Sequence, residues 1–289
     1  MIKRGGRMRL NNFILNRVFT QNTFADLLTG QFNSTYCEVI KRYIEDSEVK
    51  SNRILINEIY RIMARSYRNE YVYKNTLLNK LLIAKHSWKT TTALTEIPIR
   101  KSIADFVLIN GKAVVYEIKT ELDGFYRLEC QLSDYYKAFD RVCVVTCEGK
   151  YDKLEGWLKN YPVGIYILTK RNGLSLRKEP VRDNSRLDPN VMFKILRKKE
   201  FENILESHYG ELPAVSQVNH YNQCYKLFKN INVELSYQYM LKELKNRGTV
   251  QIEEYKNIPY ELKFLAYFAK YKKSDYQQLN VFLNNKFGG

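Results

Sequence analysis

Residues 104–119 read ADFVLINGKAVVYEIK and contain the most informative pattern of the chain. Apolar and β-branched residues lie on both sides of an Asn-Gly dipeptide, which is typical of a tight turn between two strands. Successive side chains of a strand point to opposite faces, so Glu117 and Lys119 share one face and Ile118 points to the other. An acid and a lysine on an apolar strand are costly unless they face water, each other or a metal ion. The stretch therefore predicts a hairpin that carries candidate site residues.

Whether Asp105 shares that face depends on the register of the hairpin. A two-residue turn at Asn110-Gly111 places Asp105 opposite Tyr116, on the face away from Glu117. A three-residue loop places Asp105 opposite Glu117, and a shifted three-residue loop or a bulge also brings the two to one face. We therefore predict an odd-length loop or a bulge, and a plain two-residue turn would exclude a site that both carboxylates share.

Short apolar runs continue on both sides of this hairpin and predict a sheet. With the two hairpin strands included, they are TTALTEIPI, IADFVLI, AVVYEIKT, RVCVVTC and VGIYILT. Apolar residues at helical spacing in 70–87, 121–139 and 151–160 predict helices before and between these strands. Because short loops join antiparallel strands and helical crossovers join parallel ones, we expect an α/β fold with a mixed sheet flanked by helices.

The spacing of apolar residues and the local composition divide the chain into three regions. Residues 1–65 show helical spacing, with Thr23 and Ser34 as candidate N-cap residues. Residues 66–180 carry the predicted sheet, and residues 181–289 return to helical spacing around the polar segment RKEPVRDNSRLDP, which is typical of a linker. We therefore predict an α/β core between N-terminal and C-terminal helical regions.

The C-terminal region is rich in tyrosine, with 10 of the 23 tyrosines of the chain. Tyrosines interleaved with lysines can stack on the bases of a nucleic-acid strand. The alternative is that these rings form the core of a helical bundle, and their recurrence at helical spacing favours the core.

The charge of the chain indicates its class of partner. Lys and Arg number 47 and Asp and Glu 31, a formal net charge of +16, and half of that excess falls on residues 61–190. Such a charge favours nucleic acid as the partner over a membrane surface. We expect the basic surface to border the mouth of the site that Asp105, Glu117 and Lys119 form. No apolar run approaches the ~18 residues of a membrane span, and the N-terminus lacks the apolar core of a signal peptide, which predicts a cytoplasmic protein.

Cysteine and histidine chemistry is disfavoured. The five cysteines form no C-x-x-C pair and the chain has only 3 His, so neither a zinc site nor a histidine-activated nucleophile is expected. Cys143 and Cys147 lie on or beside an apolar strand and are predicted to be buried thiols. The candidate chemistry therefore depends on the acids and the lysine of the hairpin.

Two carboxylates and a lysine on one face are a recognisable chemical set. Together with water and substrate oxygens, two carboxylates form the hard oxygen site that Mg²⁺ prefers. Bound Mg²⁺ lowers the pKa of a water molecule and shields the charge of a phosphate, and a lysine can orient that water or stabilise the transition state. The set is typical of metal-dependent phosphodiester hydrolysis.

The spacing D-x₁₁-E-x-K across a hairpin, followed by a helix and another strand, resembles the PD-(D/E)xK nuclease superfamily, which has the restriction-endonuclease-like fold. The resemblance covers a little over a third of the chain, and Ala104 stands at the place of a proline that many members carry. It implies that Asp105 and Glu117, with the backbone carbonyl of Ile118, hold Mg²⁺ or Mn²⁺. It also implies that Lys119 is the catalytic lysine.

The resemblance implies further site residues outside the hairpin. Many members add a catalytic glutamate from the helix before the sheet, where Glu70 stands, and Glu96 on the first strand is the competing candidate. RecB-like members carry Q-x-x-x-Y on the next helix, which Gln131 and Tyr135 match. Residues four apart share a helix face, so both side chains can point at the site and at a nucleic-acid backbone.

The segment EIKTELDGFYRLECQLSDY also resembles a bacterial branch of this superfamily, in which Asp123 and Arg127 belong to the signature. Arg127 is then a candidate phosphate contact. For Glu70, Asp123 and Arg127 the alternative is that they form ion pairs on helix surfaces.

The sequence favours one function and leaves two alternatives. The favoured one is a Mg²⁺-dependent DNA nuclease in bacterial or phage defence, a mobile element or repair, whose helical regions hold the duplex by phosphate contacts. The alternatives are a non-cleaving nucleic-acid-binding module and a defence or toxin-system protein whose helical regions bind another protein. RNA as a substrate, sequence specificity, endo or exo cleavage and a homodimer are left open.

Overall fold

The computed structural model describes residues 12–83, 90–248 and 252–288. Its contacts divide the chain into two compact units, Met1–Leu81 with Thr249–Gly289, and Leu82–Gly248. The division into three regions, inferred from apolar spacing and composition, stays a prediction.

The strands all belong to the second unit. They are β1 (Thr92–Ile99), β2 (Ser102–Asn110), β3 (Lys112–Ile118), β4 (Val142–Cys147), β5 (Gly164–Leu168) and β6 (Leu174–Lys178).

The α-helices of the described residues are numbered along the chain. They are α1 (Leu15–Val18), α2 (Gln21–Leu28), α3 (Ser34–Tyr43), α4 (Asn52–Ser66), α5 (Glu70–Leu77), α6 (Leu128–Tyr135), α7 (Tyr151–Leu158), α8 (Pro189–Ile195), α9 (Lys198–Tyr209), α10 (Gln217–Asn230), α11 (Val233–Lys245), α12 (Ile252–Lys256), α13 (Lys263–Phe268) and α14 (Lys273–Asn284). A π-helical segment, Leu78–Ile83, continues α5.

The sheet of the second unit is mixed, as the sequence predicts. Its six strands neighbour one another in chain order. The pairs β1–β2, β2–β3 and β5–β6 are antiparallel, whereas β3–β4 and β4–β5 are parallel. Short loops close the antiparallel pairs, and α6 and α7 provide the crossovers that parallel pairing requires. The α/β class is therefore confirmed.

The core of the second unit joins the sheet to the helices that follow it in the chain. Val115, Val144 and Ile165 from three neighbouring strands have no exposed surface and belong to one cluster with Phe228 of α10 and Met240 of α11. Tyr237 is buried as well, which supports the core alternative for that tyrosine. Cys143 and Cys147 are buried thiols, as predicted.

The segment that resembles a linker is instead part of the second unit. The first residues of the segment belong to the edge strand β6. The sequence did not predict this strand because β6 is short and half-exposed. Beyond β6, the Asp183 N–H donates to the carbonyl of Asp140 at 2.8 Å and the Asp188 N–H to that of Lys137 at 2.9 Å. The guanidinium of Arg186 lies 5.2 Å from the centroid of the Tyr136 ring. These contacts tie the polar segment to the sheet domain, so the linker prediction was wrong.

The first unit is helical. Val39, Ile40, Leu55 and Ile56 of α3 and α4 have no exposed surface. The helix starts differ slightly from the prediction, because Thr20 and Asn33 rather than Thr23 and Ser34 accept the capping hydrogen bonds of α2 and α3. Among the described residues, no helix has the length and apolar character that crossing a membrane requires.

Candidate metal and nucleic-acid site

The β2–β3 hairpin has the odd register that a shared carboxylate site requires. Ile109 pairs with Ala113 and Phe106 with Tyr116, so Asp105 stands opposite Glu117. Gly111 at the tip has a φ of +67°, a conformation that glycine adopts without strain. The carboxylate of Asp105 accepts a hydrogen bond from the Ile118 N–H at 2.7 Å. The prediction of an odd loop is confirmed, and the plain two-residue turn is excluded.

Glu117 and Lys119 form a buried ion pair on the face they share. Their side chains are 2% and 10% exposed, and Lys119 Nζ lies 2.7 Å from Glu117 Oε1. Lys119 follows directly after β3 and is held there by hydrogen bonds to β4, from its N–H to the Val145 carbonyl and from the Thr146 hydroxyl to its own carbonyl. The backbone of Lys119 is therefore fixed by the parallel strand pair.

Gln131 and Tyr135 of α6 both contact this ion pair. Gln131 Nε2 donates to Glu117 Oε1 at 2.6 Å, and Lys119 Nζ donates to Gln131 Oε1 at 2.8 Å. The Tyr135 hydroxyl donates to Glu117 Oε2 at 2.5 Å and also lies 2.8 Å from the Ile103 carbonyl. The spacing of four residues predicted that both would point one way, and the structure brings both to Glu117 and Lys119.

Electrostatics keep Tyr135 a hydrogen-bond donor. Burial raises the pKa of the Tyr135 hydroxyl well above its usual range, and the neighbouring carboxylates Glu117 and Asp105 raise it further. The hydroxyl therefore keeps its proton at neutral pH and holds one oxygen of Glu117 in place.

The helix predicted over 121–139 begins later, at Leu128. Residues 120–127 form a loop in which the Asp123 carboxylate accepts from the Thr120 N–H at 2.8 Å and from the Thr120 hydroxyl at 2.6 Å. Asp123 thus closes a local turn rather than a helix-surface ion pair. Arg127 is exposed directly before α6, and its proposed phosphate contact stays a prediction.

The two candidate glutamates lie in different places. Glu70 starts α5 in the first unit and pairs with Lys74 Nζ at 2.6 Å, the helix-surface ion pair of the alternative interpretation. Glu96 is exposed and has a φ of +54°. It lies between the pairs Thr95–Phe106 and Ile97–Ala104, which puts it opposite Asp105 in the β1–β2 register. The site roles of both glutamates stay predictions.

The carboxylate oxygens of the hairpin are of the kind that a hard divalent cation prefers as ligands. Asp105 and Glu117 provide carboxylate oxygens on facing positions, and Mg²⁺ commonly binds one or two carboxylates and completes its shell with water and phosphate oxygens. Glu117 already accepts three hydrogen bonds, so about one of its four lone-pair directions stays open for a cation. Within the described ranges, no group of three or more His, Cys, Asp or Glu side chains could hold a metal ion.

Sequence reasoning missed two residues that position the site. Lys150, just before α7, donates to the carbonyls of Thr120 and Asp123 and so fixes the loop before α6. Asp134 of α6 accepts from the Ser102 hydroxyl at 2.8 Å and pairs with Arg100 Nε at 3.0 Å. These contacts anchor α6 to the β1–β2 turn. No local spacing links residues this far apart in the chain, so only the fold could reveal them.

Comparison with known proteins places the chain in one family. The family model described as Bacteriophage P4 protein cII matches residues 63–259, which include every site residue named above. Protein cII of Enterobacteria phage P4 is 24% identical over 187 residues, a match that covers 62% of this chain. The match spans 64% of that relative, less than two thirds of its length. No solved structure matches the chain significantly.

Proposed function

The chain belongs to the family of the bacteriophage P4 protein cII, and we propose that it is a metal-dependent nuclease of the PD-(D/E)xK type. The proposed substrate is DNA, cut by phosphodiester hydrolysis. A role in the cytoplasm in phage or bacterial defence, in a mobile element or in repair is part of the proposal. It agrees with a relative encoded by a phage.

The observation that carries the proposal is the meeting of five motif residues at one place. The hairpin register puts Asp105 opposite Glu117, and Glu117 contacts Lys119, Gln131 and Tyr135 directly. In sequence these residues are spread over 31 positions and three elements. Structural ion pairs occur on many strands, but a strand ion pair rarely has a second carboxylate across the ladder and two polar helix residues on its own oxygens.

The order of elements supports the restriction-endonuclease-like fold as the finer description. Strands β1, β2 and β3 form an antiparallel meander, α6 follows, and β4 returns parallel to β3. The PD-(D/E)xK nuclease superfamily, which the sequence resembles, has its motif-bearing elements in the same order. The motif residues lie near the end of β3, beside the helix that crosses over to β4.

The residues of the cluster have separate roles in the proposed reaction. Asp105 and Glu117, with the Ile118 carbonyl, would hold Mg²⁺, which when bound supplies a water of lowered pKa and shields the scissile phosphate. Lys119 presents a positive charge for the anionic transition state. Gln131 holds both Lys119 and Glu117, and Tyr135 fixes the second oxygen of Glu117, so the charged groups are positioned before substrate arrives.

A second candidate is a non-cleaving nucleic-acid-binding module. The observation that favours it is the hydrogen bonding of Glu117, whose two oxygens are held by three protein donors. In such a module, Glu117 would be a structural acid that orients Lys119 toward a phosphate. The net charge of +16 supports both candidates equally. A protein partner bound through the helical regions stays a third prediction.

Cleavage of DNA in the presence of Mg²⁺ tests the proposal. We expect wild-type chain to cut plasmid or linear DNA, and Asp105→Ala and Lys119→Ala to lose at least about 10²-fold in rate, the loss that follows removal of one group that stabilises the transition state. Glu148 and Arg177 form an exposed ion pair, so Glu148→Ala and Arg177→Ala make the same charge changes away from the cluster. These controls should cut like wild type.

Two outcomes distinguish the candidates. Cleavage that Asp105→Ala leaves intact, or wild-type chain that does not cut, contradicts the nuclease. DNA binding that persists in both variants and weakens steeply with salt, without cleavage, supports the binding module.

A further inference from the structure

The loop formed by residues 120–127 carries an aromatic side chain that is almost fully exposed to solvent. Tyr126 is 87% exposed, the most exposed aromatic side chain among the described residues, and Leu122 on the same loop is 68% exposed. Single exposed apolar residues are common on protein surfaces. Here, however, two lie on one short loop that directly joins Lys119 to the helix of Gln131 and Tyr135.

The loop is held firmly although its tip is exposed. The Asp123 carboxylate accepts two hydrogen bonds from Thr120. The ammonium of Lys150 donates to the carbonyls of Thr120 and Asp123 and lies 5.6 Å from the centroid of the Phe125 ring. Phe125 itself packs against the core of the second unit. The exposed side chains therefore project from a fixed frame.

The Tyr126 ring lies beside the backbone of Gly124. A Cβ atom at position 124 would lie 3.1 Å from Tyr126 Cδ1 and 3.4 Å from Cε1, so the ring lies close against the glycine. With 87% of the residue exposed, the rest of the ring surface faces solvent.

We propose that Tyr126 is a stacking platform for an unpaired nucleobase of the substrate. The proposal rests on the proposed nucleic-acid function and names a substrate class for it, which is single-stranded nucleic acid or a strand with a base displaced from its helix. Every nucleobase has a π face, so stacking tolerates any sequence. Arg127, the next residue in the chain, is exposed and would contact the backbone of the same strand.

Stacking also explains why the exposed residue is aromatic. Removing one base–aromatic stack costs ~1–3 kcal/mol by alanine substitution, and ~1.4 kcal/mol corresponds to tenfold in affinity. A basic side chain at this position would instead strengthen binding to every phosphate, with or without a base.

Binding of two labelled oligonucleotides, measured by fluorescence anisotropy in EDTA, tests the platform without cleavage. One is a short oligothymidylate, and the other has the same backbone with abasic residues. We expect wild-type chain to bind the first about tenfold more tightly, and Tyr126→Ala to lose that difference while its affinity for the abasic strand is unchanged. Tyr126→Phe should behave like wild type.

One further variant sharpens the test. Phe32→Ala is the matched control, since Phe32 is 80% exposed and lies in the first unit, and it should change neither affinity.

The outcomes separate this proposal from the nuclease proposal. A preference for bases that Tyr126→Ala leaves intact, or a wild-type chain that binds both strands equally or not at all, overturns the platform whatever the cleavage assay gives. A preference lost in Tyr126→Ala, in a chain that does not cut DNA with Mg²⁺, supports the platform and contradicts the nuclease.

Discussion

Two buried carboxylates of the second unit, Glu117 and Asp140, are held by similar numbers of donors but of different kinds. Glu117 is 1% exposed and accepts from one ammonium, one amide and one hydroxyl. Asp140 is 2% exposed and accepts from two guanidinium groups and one hydroxyl. The difference separates a candidate site from a structural clamp.

Asp140 joins three parts of the second unit. Arg182 Nε, from the segment after β6, lies 2.8 Å from its Oδ2, and the Tyr237 hydroxyl of α11 donates to its Oδ1 at 2.8 Å. Arg141 Nη1, next to it in the chain, lies 3.1 Å from Oδ1. Arg182 also pairs with Glu234, so the charges form a network that links α11, the segment after β6 and the residues just before β4.

Glu117 lacks this clamp-like arrangement. Its two partners from α6 are neutral, and its cation, Lys119, lies two residues further along the chain, directly after the strand. The register adds a second carboxylate, Asp105, on the opposite position of β2. Burial and the number of donors are therefore alike in the two acids, and Glu117 is the candidate site because it has a second facing carboxylate and neutral positioning groups.

Removal of the Asp140 carboxylate should have the largest effect on stability. Asp140→Ala leaves Arg141 and Tyr237 without their shared acceptor, and each buried donor left unsatisfied costs about 1–3 kcal/mol. Arg182 is 44% exposed and keeps Glu234 as its partner, so it adds little to this loss. We expect a matching decrease in the free energy of unfolding, measured by urea denaturation. A loss below about 1 kcal/mol would mean that the network is exposed enough for water to replace it.

Asp105→Asn should have a much smaller effect on stability. The asparagine keeps an oxygen that can accept from the Ile118 N–H at the position of Asp105 Oδ2. Exchange of a charged acceptor for a neutral one costs about 1 kcal/mol. Cleavage should nevertheless be lost, measured with Mg²⁺ on the same preparation. A variant that unfolds as readily as Asp140→Ala would place Asp105 with the structural acids and weaken the comparison.

A third buried acid, Glu200, makes the stability of the folded protein depend on pH. Arg247 donates to both of its oxygens, at 2.7 and 2.5 Å, and the Arg197 N–H donates at 2.7 Å. Burial raises the pKa of Glu200, but the hydrogen bonds and charge of Arg247 outweigh burial and lower it below 4.5. Its contribution to stability is therefore complete above 4.5 and is lost as pH falls through the lowered pKa of the folded state.

Glu200→Gln measures that contribution. The difference in unfolding free energy between wild type and this variant should be constant from neutral pH down to about pH 5 and should shrink at lower pH. The measurement is a series of urea denaturation curves. If the difference in unfolding free energy grows as the pH falls, the pKa of Glu200 is raised by folding rather than lowered.

Much of the second unit could be predicted from local pattern. The first five strands and the residues of the hairpin motif follow from alternation and β-branched runs, and the spacing of Gln131 and Tyr135 predicted their common direction. The start of α6 could not be predicted, because apolar residues in 121–127 match the helical period while Asp123 and Lys150 hold the segment as a loop. β6 was missed because an edge strand need not be apolar.

Long-range contacts account for the other differences. The polar segment after β6 resembles a linker in composition, but Asp140 and Lys137 hold it through backbone hydrogen bonds that no local spacing signals. The helix caps differ because Thr20 and Asn33 occupy the extended positions before α2 and α3, whereas Thr23 and Ser34 already lie within the helices. Composition therefore identifies the polar segments but not their partners.

Binding of Mn²⁺, measured by electron paramagnetic resonance, tests the central claim that Glu117 and Asp105 form a metal site and Asp140 does not. We expect wild-type chain to bind Mn²⁺ and Glu117→Gln to bind it at least about tenfold more weakly, since even outer partners of a metal site contribute about 10–100-fold. Asp140→Asn and Glu200→Gln, with folding verified by circular dichroism, should bind like wild type. Wild-type chain that binds no Mn²⁺, or binding that Glu117→Gln leaves unchanged, would contradict the account.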